Sequence, residues 1–421
     1  MSDCIMLTMD QLKVGLYIYL DMKWFDQPFA FNHFRIKNEE QIAVIRTLGL
    51  TQIRYSPSLS SAEPAPPAAQ APDVPVAAPA PAIAAAVAAK NAMIARIEQL
   101  RAASARISEA FSATAKTIRS IDQNLFARPQ ESVQQAGELI DQIAAAILSD
   151  RELAIHVMGD TPGGEELYFH SLNVTVLAMM LGRDIALPTP VVHALGMGAL
   201  FHDVGKREIP ERLFREAVTL TQAERTLCEL HPTYGLEIGR RLKLPAASHA
   251  IISEHHEHND GSGYPGKLKG EAIGLLSRIV AIANCYDNLC NPVNLADALT
   301  PHETLALMFA KMSHRFDPKI LQRFIRCLGI YPPGTLVELS NGAIGITTTV
   351  NTSKPMKPMI MVYNADVPKA EAILVDMEDD SDISIARALR PSQVPPDVYQ
   401  YLNPRKRVSY YFDTGKTPPR S

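Results

Sequence analysis

The stretch EHHEHNDGSGYPG, residues 254–266, places three histidines directly before a turn rich in glycine and proline. Two of them, His255 and His256, are adjacent. A neutral imidazole is the commonest metal ligand in proteins. Glycine permits a tight backbone and proline holds φ, so the residues after the histidines predict a rigid turn. A solvated loop does not need this combination, and the stretch therefore predicts part of a metal site.

Further candidate ligands lie upstream, in a block whose sequence pattern is helical throughout. Glu166 precedes His170 by four residues, which places both side chains on one helix face. His202 and Asp203 are adjacent in ALFHDVGKREIP, and His231 opens HPTYG. A lone histidine is more often a packed or surface residue than a ligand. Five histidines with two acidic residues in one predicted bundle reverse that expectation and indicate a metal site.

The chemistry of these residues favours two or more metal ions. Imidazole and carboxylate ligands suit iron, manganese or zinc, and the five scattered cysteines form no CxxC pair that would add thiolates. The number of ligands exceeds what one ion needs. Two close ions lower the pKa of a shared water and stabilise both oxygens of an in-line displacement at phosphorus. Lys206, one helical turn after His202, can direct a cation at a substrate phosphate.

The order and spacing of these motifs resemble the HD-GYP family, bacterial metal-dependent phosphodiesterases of the HD superfamily. The matching motifs are HDVGK at His202–Lys206 and HHEHNDGSGYPG at His255–Gly266, with HSLNV at His170 and HP at His231. The resemblance covers about residues 160–329. It implies a mainly α chain built on an HD-type helical bundle, and it implies hydrolysis of the second messenger cyclic di-GMP.

The resemblance also implies a role for each matching residue. Asp203 would bridge two metals, and Glu166 stands where members with a third metal place a glutamate. Lys206 matches the lysine that family members use near the substrate phosphate. The loop that shapes the substrate groove would be Gly263, Tyr264 and Pro265. The implied cofactors are two or three divalent ions, iron or manganese, and the implied metal ligands are Glu166, His170, His202, Asp203, His231, His255, His256 and Asn284.

Two positions depart from the family pattern. The family has an aspartate ligand in a helix that reads roughly A-D-x-Y-D-A-L, and here Asn284 stands at that position in IANCYDNLC. A neutral amide is a poorer ligand for a dication than a carboxylate. Asp287 matches the second aspartate of the motif. Downstream, many members carry a basic segment that contacts the substrate phosphates, whereas the segment CNPVNLAD contains neither Arg nor Lys.

These departures leave three hypotheses for the function. The leading one is a phosphodiesterase that opens cyclic di-GMP to pGpG and continues to GMP. The second is a weakened or inactive sensor that binds cyclic di-GMP or a partner protein such as a diguanylate cyclase. The third is an HD-type hydrolase that acts on another nucleotide. Turnover and metal content distinguish them.

The remaining sequence predicts the domain organisation. A small α+β domain is expected at residues 1–55, and it resembles a domain that often precedes this catalytic unit. Eight prolines and fourteen alanines within residues 56–89 predict a disordered linker. A long helix with connecting helices would fill residues 90–159, the HD-GYP domain residues 160–329, and a β-rich extension residues 330–421.

The long helix carries apolar residues at alternating spacings of three and four. They run from Ile97 through Phe111 and Ile118 to Leu125, with the polar Ser104 and Thr114 between them. This heptad spacing has two interpretations. The helix either lies on its own domain, or it forms a homodimeric coiled coil through residues 91–126.

Composition and charge limit the other functions. A net charge of −4 gives no basic field that would attract a nucleic acid polymer. The N-terminal residues lack the pattern of a signal peptide, and no apolar run reaches the length of a membrane span. We expect a soluble cytoplasmic protein.

Overall fold

The structure is a computed structural model, and it divides into two compact units. One comprises residues 1–102 with 364–373, and the other comprises residues 103–363 with 374–421. The described residues are 4–22, 27–29, 32–66, 80–149, 154–157, 166–215, 220–294, 297–351, 354, 357–365, 367, 369, 372–378, 383–402 and 410–411.

Among its described residues, the N-terminal unit contains a four-stranded antiparallel sheet, one short helix and the first part of the long helix that follows. The strands are β1 (Ile5–Thr8), β2 (Tyr17–Tyr19), β3 (His33–Arg35) and β4 (Gln52–Ser56), in the order β1-β4-β2-β3. Helix α1 (Glu39–Arg46) begins where the Asn38 side chain accepts a hydrogen bond from the Gln41 backbone N–H. Alternate strand residues such as Ile18 and Ile53 pack against Ile45 of the helix. The predicted small α+β domain is confirmed.

Two long helices follow, α2 (Ala80–Asn124) and α3 (Pro129–Ser149). Helix α2 begins at Ala80, so residues 80–89 form its first turns, although the sequence predicted a disordered linker there. The alanines of this segment have the highest helix propensity, and Pro81 lies in the first turn, where a missing N–H costs nothing. Residues 67–79, the centre of the predicted linker, lie outside the described residues.

The apolar stripe of α2 packs on the chain itself from Ile107 onward. Ile107, Phe111, Ile118 and Leu125 are all at most 5% exposed and belong to the main hydrophobic core. The interpretation of a helix lying on its own domain therefore holds for this part, and these positions are not free to form a homodimer. The side chains of Ile97, Leu100 and Ser104 lie outside the described residues.

The larger unit is a bundle of helices around one core. Its helices after α3 are α4 (Glu166–Asp184), α5 (Thr189–Leu200), α6 (Arg212–Arg215), α7 (Gln222–Cys228), α8 (His231–Arg241), α9 (Ala246–Glu254), α10 (Leu275–Cys290), α11 (Pro301–Lys311) and α12 (Pro318–Leu328). Helix α4 packs against α5 and α10, and α9 packs against α5 and α8. This arrangement brings the ends of α5, α8 and α9 together beside α4 and α10.

A β-rich region follows the bundle, as the sequence predicted. Its elements are β6 (Leu336–Leu339), β7 (Ile344–Asn351), β8 (Met359–Val362), β9 (Ile373–Asp376), β10 (Ile385–Leu389), α13 (Pro396–Leu402) and β11 (Tyr410–Tyr411). Gly342 has φ of +81° in the Asn-Gly turn between β6 and β7.

The sequence did not predict one strand of this sheet. Strand β5 (Ala154–Val157) precedes the bundle in the chain, yet it pairs antiparallel with β7 and with β11. The β-branched Ile155 and Val157 suit a strand, but a four-residue run is too short to be distinguished from a helical turn by its pattern.

No helix among the described residues is both long enough and apolar enough to cross a membrane.

Candidate metal centre

Four elements bring six side chains together at one end of the bundle. His170 lies on α4, while His202 and Asp203 directly follow α5. His231 is the first residue of α8, and His255 and His256 follow the last residue of α9. Their ligand atoms form two groups that share Asp203, each within 4.8 Å: His170, His202 and Asp203; and Asp203, His231, His255 and His256.

Asp203 presents one carboxylate oxygen to each group. Its Oδ2 lies 3.5 Å from His170 Nε2 and 3.3 Å from His202 Nε2. Its Oδ1 lies 3.3 Å from His231 Nε2 and 3.6 Å from His255 Nε2. The two carboxylate oxygens therefore face different groups of histidines.

Hydrogen bonds at Nδ1 determine which nitrogen of each ring faces the centre. His202 Nδ1 donates to the Ala199 carbonyl at 2.7 Å, and His231 Nδ1 donates to the Cys228 carbonyl at 2.7 Å. His255 Nδ1 donates in the same way to a carbonyl oxygen of α9, at 2.9 Å. A carbonyl oxygen only accepts, so Nδ1 carries the proton and Nε2 of the neutral ring carries a lone pair.

Two of these lone pairs face one another, because His231 Nε2 and His255 Nε2 are 3.1 Å apart. In the other group, His170 Nε2 and His202 Nε2 are 3.2 Å apart. In the neutral rings, two lone pairs at this distance repel unless a cation lies between them. Asp203 Oδ1 is also buried and accepts no hydrogen bond. The donor set and this unsatisfied oxygen fit divalent metal ions.

The electrostatics of the site favour the charge states that bind metals. Burial lowers the pKa of His202, lowers that of His255 to about 3, and holds that of His256 well below its usual range. Burial would raise the pKa of Asp203, but His202 and Lys206 hold it well below its usual range. Neutral imidazoles and an ionised carboxylate are the ligating forms.

His170 has a different environment because it contacts two carboxylates. Its Nδ1 donates to Asp287 Oδ2 at 2.6 Å, and its Nε2 faces Asp203. Burial would lower the pKa of His170, but the hydrogen bonds with Asp203 and Asp287 raise it to about 9.

The sequence left Asp287 without a role, and the structure shows one. Asp287 is buried, and its Oδ1 accepts hydrogen bonds from Asn173 Nδ2 at 2.7 Å and Asn291 Nδ2 at 2.9 Å. Asp287 therefore orients the His170 ring from outside the group of metal-facing atoms. The signals in the sequence were an aspartate within the apolar pattern of α10 and its match to the family motif, and neither identifies His170 as its partner.

Asn284 lies on α10 one turn before Asp287. Its side chain is 3% exposed, and its Oδ1 accepts a hydrogen bond from Asn288 Nδ2 at 2.7 Å. A carbonyl oxygen has a second lone pair, but the amide brings no negative charge to the group that contains His170 and His202.

Lys206 contacts Asp203, the residue that the two groups share. Its Nζ donates to Asp203 Oδ2 and lies 5.2 Å from the centre of the Phe214 ring. The Phe214 ring in turn lies 6.4 Å from the ring of His231. Lys206 thus places its charge at the edge of the two groups, next to a half-buried aromatic surface.

Close backbone contacts hold the ligand-bearing segments together. A Cβ on Gly205 would lie 2.0 Å from the His231 carbonyl oxygen, so only glycine lets the segment after Asp203 reach α8. A Cβ on Gly263 would lie 2.4 Å from the His256 carbonyl oxygen, so the turn folds back onto the histidine pair.

The turn is fixed further by two side chains. Tyr264 stacks on His256, with ring centres 4.7 Å apart, and its peptide bond to Pro265 is cis. The buried Glu257 accepts hydrogen bonds from the backbone N–H groups of Gly266 and Leu268. The loop at the predicted substrate groove is therefore anchored against the centre.

The side chain of one predicted ligand is not described. Glu166 is the first residue of α4, but its side chain lies outside the described residues. Arg278, a cation on α10, donates to Asp317 Oδ2 at 2.7 Å and is thus engaged with that carboxylate.

Two family descriptions match the chain. Residues 142–320 match the HD domain, and residues 5–136 match a domain of unknown function, DUF3391. The second match extends beyond residues 1–55, through the Pro/Ala-rich segment and the whole of α2.

Curated proteins of known name are similar to the chain. A cyclic di-GMP phosphodiesterase of Pseudomonas aeruginosa is 28% identical over 97% of this chain and 98% of its own length. A cyclic di-GMP phosphodiesterase response regulator of Xanthomonas campestris is 30% identical over 49% of this chain and 52% of its own length. A 3′3′-cGAMP-specific phosphodiesterase of Vibrio cholerae is 35% identical over 29% of this chain and 24% of its own length.

Among solved structures, an HDG"Y"P protein from Bdellovibrio bacteriovorus is 14% identical and covers 76% of this chain and 98% of its own, with a TM-score of 0.40.

Proposed function

Residues 142–320 belong to the HD-domain family of metal-dependent phosphohydrolases, and on that premise we propose that this chain hydrolyses cyclic di-GMP. The observation that carries the proposal is the pair of ligand groups that share Asp203. Two adjacent metal sites with one bridging carboxylate suit attack on a phosphodiester. The Pseudomonas aeruginosa phosphodiesterase, which matches along nearly the whole chain, supports the substrate.

The proposed metal ligands are divided between two sites. His170, His202 and Asp203 would hold one ion, with the carbonyl of Asn284 as a weak fourth ligand. A second ion would be held by Asp203, His231, His255 and His256. Glu166 would serve a third ion. Iron(II) and manganese(II) are the proposed metals, because imidazole and carboxylate donors suit both.

When bound, the ions supply a nucleophilic water and stabilise negative charge on the phosphate oxygens. The residues of the chain would position the ions and the substrate. Asp203 fixes the separation of the two sites, and Asp287 holds the orientation of His170. Lys206 directs its ammonium group at the phosphate. Gly263, Tyr264 and Pro265 form the wall of the groove beside His256. The products would be pGpG and, after a second hydrolysis, GMP.

The test is turnover of cyclic di-GMP by the purified chain, with iron(II) or manganese(II) supplied and products separated by chromatography. We expect pGpG to form with the wild-type protein. Asp203→Ala removes the shared ligand, so hydrolysis should fall by at least about 1,000-fold and bound metal should decrease. Wild-type turnover and metal content in Asp203→Ala would refute the dinuclear mechanism. Exposed Asp141, on α3, provides the control variant Asp141→Ala.

A second candidate function is a sensor that binds cyclic di-GMP, or a partner such as a diguanylate cyclase, without efficient turnover. Two observations favour it: Asn284 replaces a charged ligand, and residues 291–300 contain no Arg or Lys. The same assay separates the two candidates. A sensor would bind the nucleotide with metals present and would release no pGpG.

A further inference from the structure

Asp122, near the C-terminal end of α2, holds an arginine that follows the shared ligand in the chain. Arg207 donates from Nε to Asp122 Oδ1 at 3.1 Å and from Nη2 to the Asp122 backbone carbonyl at 2.6 Å. Its Nη2 also lies 2.6 Å from Asp122 Oδ2. The guanidinium carbon lies 5.3 Å from the centre of the Phe126 ring. Because a planar guanidinium with several partners has a fixed orientation, Arg207 is anchored on α2.

The segment that contains Arg207 is joined tightly to Asp203. The 3-10 turn Val204–Glu208 begins directly after Asp203 and includes both Lys206 and Arg207. The Lys206 N–H donates to the Asp203 carbonyl at 2.9 Å, and Gly205 packs on α8 with no room for a Cβ. A shift of Arg207 would therefore also move the backbone of Asp203.

The Asp122 carboxylate also reaches α4. The Tyr168 hydroxyl donates a long hydrogen bond of 3.5 Å to Asp122 Oδ2, and Tyr168 precedes His170 by two residues. Phe169, between them, stacks on Phe111 of α2 with ring centres 5.3 Å apart. One residue of α2 thus connects two segments that carry ligands of the same group, which consists of His170, His202 and Asp203.

The contact is better suited to set a position than to stabilise the fold. The side chains of Asp122 and Arg207 are 38% and 32% exposed, and a partly exposed ion pair contributes little to the free energy of folding. None of the hydrogen bonds or ion pairs that Asp122 forms among the described residues involves α8 or α9. Those helices carry the histidines of the other group, His231, His255 and His256.

We propose that Asp122 is a positioning residue of the candidate metal centre, an inference that rests on the proposed metal ligands and deepens the proposed function. Asp122 holds the Asp203 segment through Arg207 and the His170 segment through Tyr168. It thereby fixes the separation that these ligands need to share one ion, and α2 has a role in metal binding in addition to its packing.

This role predicts a selective loss of metal. Asp122→Ala removes both connections, so the affinity of the His170 group for manganese(II) should fall by about 10-fold, at the lower end of the effect of removing an outer partner of a ligand. The group that contains His231 should keep its affinity. Arg207→Ala should lose nearly as much, and the double variant little more than Asp122→Ala, because both changes break one contact. Asp122→Asn keeps an oxygen acceptor without the charge and should have an intermediate effect.

The experiment measures metal per chain against free manganese(II). Electron paramagnetic resonance distinguishes a coupled pair of manganese(II) ions from an isolated ion. We expect Asp122→Ala to form the pair only at about 10-fold higher manganese(II), with thermal unfolding of the metal-free protein nearly unchanged. Glu338→Ala is the matched control, because Glu338 accepts from Arg387 Nε at 2.8 Å and lies 2.6 Å from its Nη2, between β6 and β10. It should leave the binding of both ions unaffected.

The outcomes separate the inference from the function that it deepens. Unchanged binding of both ions in Asp122→Ala would overturn the role of Asp122. Equal weakening of both ions, with unfolding at a lower temperature, would also overturn it, because Asp122 would then act only on the fold. Should Asp122→Ala fold poorly, Arg207→Ala and Asp122→Asn must show the selective loss, and its absence there overturns the inference. A wild-type chain that binds both ions and releases no pGpG would overturn the proposed function and leave the role of Asp122 intact.

Discussion

The two oxygens of the Asp203 carboxylate face different histidines: Oδ2 faces His170 and Oδ1 faces His231. Asp203 therefore belongs to both groups of the candidate centre. The groups are unequal. One has three histidines with Asp203, while the other has two histidines with Asp203. Asn284 on α10, the proposed further ligand of the second group, is a neutral amide. At the residue scale, the group that contains His170 should therefore hold its ion more weakly.

The change Asn284→Asp tests this inequality. It adds a negative charge with almost no change in volume, and a carboxylate still accepts the hydrogen bond from Asn288. We expect more metal per chain and faster hydrolysis at limiting metal, with a gain that shrinks at saturation because mass action fills the weak site. Both quantities are measured in titrations with manganese(II) and iron(II).

Asn341→Asp is the control for that change, since Asn341 lies in the turn between β6 and β7 and also acts as an acceptor. If Asn284→Asp left occupancy and rate unaltered at every metal concentration, position 284 would not be a working ligand.

The change Asp287→Asn should have the opposite effect. The amide can place an NH₂ donor opposite the His170 Nδ1–H, so the ring loses its acceptor and its fixed tautomer. We expect metal affinity at the His170 group to fall by about 10- to 100-fold, while the other group keeps its ion. Metal per chain and metal X-ray absorption, which reports histidine ligation, provide the measurement.

Asn291→Ala removes only one donor to Asp287 and should have a smaller effect. Equal loss of both ions in Asp287→Asn would instead indicate a general collapse of the bundle end.

At the scale of elements, the C-terminal half of α2 contributes to the core that supports the centre. Phe111 stacks on Phe169, the residue before His170, with ring centres 5.3 Å apart. Arg207 donates to Asp122 and thereby connects α2 to the 3-10 turn after Asp203. Helix α2 is thus part of the support of two ligand-bearing segments.

The double change Phe111→Glu and Ile118→Glu should disrupt the packing of α2 on the core of the larger unit. Each buried glutamate replaces a packed apolar side chain with an unpaired charge, so we expect a loss of at least about 3 kcal/mol of stability. Thermal unfolding and molar mass in solution are measured together. Lys116→Glu with Ser120→Glu, on the exposed face, is the control. A stable variant that merely dissociates from dimer to monomer would restore the coiled-coil interpretation.

At the scale of the whole molecule, the candidate centre lies entirely within the larger of the two compact units. Its ligands come from α4, α8 and the ends of α5 and α9, which are separated widely in the chain. A bound ion therefore joins distant segments of one unit and stabilises that unit's folded state.

Calorimetry of the whole chain should detect that bound metal stabilises the larger unit and not the N-terminal unit. Metal at about 100 times its dissociation constant adds about 2.7 kcal/mol to the stability of the unit that binds it. We expect a transition that moves upward with manganese(II) and moves back on chelation, and a metal-independent transition from the N-terminal unit. Asp203→Ala should abolish the shift. If metal shifted every transition, the prediction that the N-terminal unit unfolds independently of the metal would be wrong.

The sequence by itself predicted the resemblance to HD-domain proteins, the helical class, and the five histidines and Asp203 that the structure brings together, because these depend on residue type and spacing. Adjacent histidines and the Gly-Tyr-Pro turn that follows them are recognisable from a short stretch of sequence. The structure brings together His170, His202, Asp203, His231, His255 and His256. The resemblance to HD-domain proteins is confirmed by the family match. The domain boundaries remain predictions, although α2 begins inside the predicted linker.

Only the tertiary structure decided the contacts between segments distant in the chain. Heptad spacing fits a dimer seam and a core-facing helix equally well, and the burial of Phe111 and Ile118 shows a core-facing helix from Ile107 onward. Asp287 meets His170 across 117 positions, and the Glu254 carboxylate accepts a hydrogen bond from the Gly274 N–H across 20 positions. A periodic pattern states which face of an element is apolar, whereas the partner of that face depends on packing among all the helices.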